Sequence, residues 1–263
     1  MPIIALVAIL LYLAAAGVLI VPLARRRTPP RTLSFALAAL AVIAHLAQLI
    51  ATHHGGVDLH FFAALSIVGV CIAGLCVLVN LARPIATLGV IVFPLAAVLL
   101  FVDVFLAPPT QPLPIDWQIK LHVLFALLGY SVLSVAAILA ILLAVQERAL
   151  RAHRISPLVQ ALPPLTLTES LMFQLIGAGF VLLTLTLITG IVFVTNLFDQ
   201  HLAHKTVLSI AAWLVFGTLL FGRRRYGWRG RQAVRLTLAG MALLLLAFFG
   251  SRFVLELLLK RVP

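Results

Sequence analysis

IIALVAILLYLAAAGVLIVPLARRR, residues Ile3 to Arg27, carries no charge from Ile3 to Ala24 and then meets three arginines in succession. A bilayer core of about 30 Å needs roughly 20 apolar residues in helix, because hydrocarbon offers no hydrogen-bond partner to an open backbone. The stretch therefore predicts a membrane-spanning helix over Ile3–Leu23. No basic residue precedes the apolar run, while Arg25, Arg26 and Arg27 follow it, the wrong polarity for a cleaved export signal. A first span with its positive flank behind it predicts an outer N-terminus and a cytoplasmic arginine cluster.

Similar runs recur at Leu33–Ile50, Phe61–Leu81, Ile85–Leu106, Ile119–Val145, Leu171–Val194, Val207–Phe221 and Ala233–Leu259. The seventh run is short and the fifth and eighth are long, so tilt and protruding ends are expected there. The expected fold is an all-α integral membrane protein, a bundle of eight transmembrane helices in one polytopic domain over residues 1–263. Composition agrees, since 63% hydrophobic and 10% charged residues in a chain of 263 exclude a water-soluble domain. The longest connection, Gln146 to Ser170, is about 25 residues and leaves no room for a soluble catalytic domain. The two cysteines, Cys71 and Cys76, lie about 140° apart around a helix, which favours buried packing over a redox pair or a disulfide.

With 19 Lys+Arg against 7 Asp+Glu, the formal charge is +12, a value that in a soluble protein would point to nucleic acid. Its placement removes that reading. Fourteen of the 19 cations fall on the connections after spans one, three, five and seven. They are Arg25, Arg26, Arg27 and Arg31; Arg83; Arg148, Arg151 and Arg154; and Arg223, Arg224, Arg225, Arg229, Arg231 and Arg235. Lys120, Lys205, Arg252, Lys260 and Arg261 lie at the opposite face or in the last helix. The bias predicts an N-out, C-out, multi-pass protein of the bacterial inner membrane, with basic loops meeting anionic lipid headgroups.

That topology puts seven of the eight histidines, His45, His53, His54, His60, His122, His201 and His204, in the outer half of the membrane or its outer loops. Neutral imidazole is the commonest metal and haem-iron ligand, and it enters the membrane more cheaply than a carboxylate or ammonium. His122 opens the fifth helix beside Trp117 and Lys120, and His204 with Lys205 opens the seventh. Two imidazoles at similar depth are what a membrane-edge haem needs as axial ligands. Lys120, Lys205 and Arg252 are candidate partners for its propionates, against the plainer role of snorkelling to headgroups. Arg252 is also placed to pair with Glu256 four residues on. His45, inside the second span, is either an intramembrane ligand or a histidine bonded to a neighbouring helix.

A second reading places a divalent cation on the loop group His53, His54, Asp58 and His60, as in a magnesium or cobalt efflux accessory protein. Asp103, near the outer end of the fourth helix, is a further cation or hydrogen-bond candidate. Asn80, Gln174 and Asn196 are expected to bridge helices, and Gly177-Ala178-Gly179 to allow close packing. No Walker loop, HExxH pair, nucleophile elbow or twin-carboxylate pattern appears, so no catalytic residue is assigned.

Four blocks carry a family resemblance: WQIKLHVLFALLGY (Trp117–Tyr130), LPPLTLTESLMFQLIGAGFVLLTLTLITG (Leu162–Gly190), HKTVLSIAAW (His204–Trp213) and YGWRG (Tyr226–Gly230). Together with AFFGSRFVLE (Ala247–Glu256), they resemble the cytochrome c assembly membrane proteins over about residues 30–260, most closely the shorter CcsA-like or HemX-like proteins of the YpjD branch. The resemblance implies haem carried within or across the membrane, with His122 at the family's first outer axial position and His204 and His45 as looser matches. It also implies a protein partner in cytochrome c assembly. Haem synthases of the family have a tryptophan-rich WGxxWxWD segment where this chain reads TNLFDQHLAHK, Thr195–Lys205. The seventh helix likewise has Leu219, Leu220 and Phe221 where the family usually has a histidine. The expectation is haem binding or handling without synthase chemistry.

Overall fold

In the computed structural model, residues 2–25, 27–53, 61–82, 85–107, 116–153, 162–193 and 203–250 are described. They form eight helices long and apolar enough to cross a membrane, with no strand among them. In chain order these are α1 (Pro2–Ala24), α2 (Arg31–His53), α3 (Phe61–Ala82), α4 (Ala86–Leu106), α5 (Trp117–Arg151), α6 (Leu165–Phe193), α7 (Ala203–Tyr226) and α8 (Gly230–Leu245). The last continues as a π-helical turn, Leu246–Gly250. Outward residues such as Ile43, 63% exposed, and Val192, 67% exposed, make an apolar surface that lipid must cover.

Three helices differ most from the expected segments, and the first of them, α5, runs to Arg151, six residues past Val145. α6 begins six residues before Leu171, because Thr168 and Glu169 are buried on partners rather than left to solvent. α7 takes in His204 and Lys205 at one end and Arg223 to Tyr226 at the other, so the short seventh run is the apolar middle of a full-length span. Prolines set other limits: Pro29 and Pro30 separate α1 from α2, while Pro22 and Pro94 are tolerated inside α1 and α4.

The fold divides into two compact units, residues 1–114 with 145–165 and residues 115–144 with 166–263. In the first, α1 packs against α2 and α4, and α3 against α4. The buried face of α1 is Ala5, Ala8, Tyr12, Ala15, Leu19 and Leu23, a helical repeat whose alanines let neighbouring backbones approach. Phe93 of α4 stacks on Tyr12 with centroids 6.4 Å apart and meets Phe35 of α2 edge-on at 5.7 Å. Ser34 Oγ donates to the Ala15 carbonyl at 2.7 Å, tying α2 to α1. Both cysteines are thiols, with Cys76 buried.

In the second unit α5 and α6 touch through glycine. A Cβ on Gly179 would lie 2.5 Å from Leu133 Cγ, whereas one on Gly177 would meet nothing within 4 Å. Gly179 alone therefore carries the close approach expected of Gly177-Ala178-Gly179. Leu133 is fully buried and has nowhere to retreat. Gly179→Ala is expected to destabilise the protein by about 1–3 kcal/mol, the usual range for overpacking, seen as a lower unfolding temperature in detergent. Trp213 of α7 stacks on Phe180 at 5.4 Å and donates from Nε1 to Thr184 Oγ1 at 2.9 Å. Of the amides expected to bridge helices, Asn80 has an Oδ1 with no hydrogen-bond partner among the described residues, Gln174 is exposed, and Asn196 lies outside the described residues.

Candidate functional site

His122 lies on the second turn of α5, half-buried, with its ring against α6. Its Nδ1 is 3.1 Å from Thr189 Oγ1, and its Cε1 would lie 3.2 Å from a Cβ on Gly190. Glycine at 190 therefore lets the imidazole lie close to the α6 backbone. Thr189 Oγ1 is 2.8 Å from the Leu185 carbonyl and 3.1 Å from that of Thr186. A hydroxyl has one proton, and here a carbonyl takes it, so Oγ1 accepts from His122 Nδ1–H. With the proton on Nδ1, Nε2 carries the ring's lone pair. This is how a ligand histidine is oriented in metal and haem proteins: one nitrogen anchored, the other presented.

His45 is built differently. It is fully buried, with Nδ1 3.4 Å from the Tyr12 hydroxyl and Nε2 3.0 Å from Ser66 Oγ. Both ring nitrogens are engaged whichever tautomer the ring adopts, and the three residues join α1, α2 and α3. His45→Ala is expected to cost about 2–4 kcal/mol, from the cavity and two orphaned hydroxyls. Tyr12→Phe should cost about 1 kcal/mol, the scale of one intramembrane hydrogen bond. Both are readable as shifts in thermal unfolding.

His204 sits exposed on the first turn of α7, next to half-buried Lys205. Lys120 is exposed on α5, and two residues of helix turn it about 200° away from His122. Asp103 is half-buried on α4 and engaged with a neighbour. The side chain of His53, and all of His54, Asp58, His60, the prolines at 108–114, most of the 195–205 segment, Arg252 and Glu256, lie outside the described residues.

Sequence reasoning missed three polar residues that the structure puts to use: Thr189, Ser66 and Glu169. Glu169, on α6, is buried and receives the Gly230 N–H on Oε1 at 3.2 Å. Arg223 Nη1 lies 3.7 Å from Oε1 and Arg229 Nε 3.3 Å from Oε2. The turn from α7 to α8 needs Gly227 and Gly230, at φ of 67° and 56°, in the left-handed region where a Cβ is strained. The available signal was a lone carboxylate inside an otherwise uncharged helix, facing an arginine-rich turn.

Eight apolar helices, polar contacts between them and an imidazole anchored to a neighbouring helix define a polytopic membrane protein. The family model for cytochrome C assembly protein matches residues 31–259, and the chain belongs to that family. It is 32% identical over 265 residues to inner membrane protein YpjD of Escherichia coli K12, across 98% of this chain and 100% of that protein. Similarity to cytochrome c biogenesis protein CcsA is 26% over 164 residues in Guillardia theta, across 56% of this chain and 54% of that one. For CcsA of Picosynechococcus it is 31% over 84 residues, across 31% and 25%. No solved structure matches the chain. The protein is thus a multi-pass inner membrane protein. The cation-efflux alternative gains no support, since the kinship is to cytochrome c assembly.

Proposed function

We propose that the protein binds and handles haem at the outer edge of the membrane, with His122 giving an axial nitrogen to the iron through Nε2. The bond between His122 Nδ1 and Thr189 Oγ1 carries this reading, because it fixes the ring and, with the proton on Nδ1, gives Nε2 the lone pair. A neutral imidazole presented in this way is a donor that fits haem iron. Kinship with proteins named for cytochrome c biogenesis supports it. His204 is the second imidazole of the proposal, and Lys120, Lys205 and Arg252 are the cations proposed for the propionates. His45 would have to release Tyr12 or Ser66 to act as a ligand. The N-out, C-out topology, which places His122 outside, is part of the same proposal, as is a partner protein in cytochrome c assembly.

Bound haem would supply a redox-active iron. The chain's own contribution is to hold and orient it; no bond-forming step is proposed, because the 195–205 segment has no tryptophan. Thr189→Val keeps the shape of the side chain and removes the acceptor. It is expected to lower haem affinity about 10- to 100-fold, the usual effect of losing an outer-shell partner. Titrating haem into the purified protein in micelles and following the Soret band measures this. Unchanged affinity would take the anchor out of the account.

A further inference from the structure

The turn between α7 and α8 gathers Arg223, Arg224, Arg225, Arg229, Arg231 and Arg235 within a short stretch of chain. Glu169 divides them into two groups. It pairs with Arg223, whose guanidinium also lies 4.5 Å from the centroid of the Phe173 ring, and with Arg229. Arg224, Arg225, Arg231 and Arg235 are exposed and pair with no carboxylate among the described residues. The first group fixes the turn, and the second is left presented outward.

The surface beside these arginines is apolar and aromatic. Along α7 just before them, Leu214 is 54% and Phe221 61% exposed. Phe221 meets Tyr226 edge-on at 6.1 Å, and Tyr226 stacks on Trp228 at 6.2 Å. Amphipathic rings at the end of a span mark the headgroup level of a bilayer. A free phosphate would use the guanidinium groups and nothing of the apolar face; an uncharged lipid would use only the apolar face. A phospholipid with net negative charge uses both.

We infer that the α7–α8 turn is a binding site for an anionic phospholipid, whose phosphate is held by Arg224, Arg225 and Arg231 and whose acyl chains lie along Leu214 and Phe221. This is independent of haem. An arginine near a membrane surface is worth about fivefold in binding to anionic lipid. Replacing three should therefore weaken it on the order of 100-fold.

The test uses the full chain in neutral detergent, titrated with phosphatidylglycerol, cardiolipin or phosphatidylcholine and read by native mass spectrometry. The proposal expects anionic lipid to be retained over phosphatidylcholine and R224Q/R225Q/R231Q to lose it, while R25Q/R27Q/R31Q, which removes equal charge elsewhere, keeps it. Equal retention of phosphatidylcholine, or equal loss in both triple variants, would overturn it. Displacement of the lipid by millimolar inorganic phosphate would also overturn it, by showing a phosphate site with no lipid component. If R224Q/R225Q/R231Q does not fold, lipid preference and phosphate competition in the unaltered chain decide the matter alone.

Discussion

Alanine at position 122 is expected to strip haem from the purified protein, lowering occupancy by more than about 100-fold, beyond what loss of an outer-shell partner costs. The expectation follows from the division of labour around the ring. Thr189 gives its proton to an α6 carbonyl and receives the Nδ1–H, so Nε2 is the nitrogen the proposal assigns to iron. The substitution should leave the fold standing, because the ring is only half-buried and the Thr189 hydroxyl it meets keeps its bond to the Leu185 carbonyl. A spectrum that loses its Soret band, alongside unchanged helical circular dichroism, is the expected pair of readings.

Glu169→Ala is expected to lower stability by about 2–4 kcal/mol, the same scale as His45→Ala. Arg229 contributes little to this, since its side chain is 64% exposed and well screened. The main losses are elsewhere. The Gly230 N–H gives up a charged acceptor, worth about 1.5–3 kcal/mol, and Arg223, 26% exposed, is left over Phe173 without its counter-charge. For a chain of this size the unfolding temperature should fall on the order of 5–10 °C. Glu169→Gln retains an acceptor for Gly230 and should lose roughly half as much. Thermal unfolding of both variants in the same detergent checks the ranking. Equal unfolding temperatures for all three proteins would show that the carboxylate does not hold the turn.

How far these features could be read from the chain depends on whether they are local. The spans were legible because hydrocarbon imposes one length and one backbone pattern, and Ile3 to Ala24 meets both without help from any other segment. The ends of α6 and α7 were not, because hydropathy treats Glu169 and Arg223 as solvent-seeking, whereas each finds the other across the turn. His122 stood out as an imidazole at a helix start. Its orientation did not, since Thr189 is 67 residues away in sequence. His45 shows the same limit. A lone intramembrane histidine allows two roles, and its hydroxyl partners, Tyr12 and Ser66, come from two other helices. The departure at residues 195–205 needed no structure, because a missing residue type is visible in the sequence.

The most direct test is an absorption spectrum of the protein purified from haem-replete cells, recorded oxidised and reduced beside His122→Gly with and without added imidazole. The account predicts a Soret band that shifts on reduction, is lost in the glycine variant and returns when imidazole fills the space the ring has left. A colourless parent protein, or a band that survives the substitution unchanged, would contradict it.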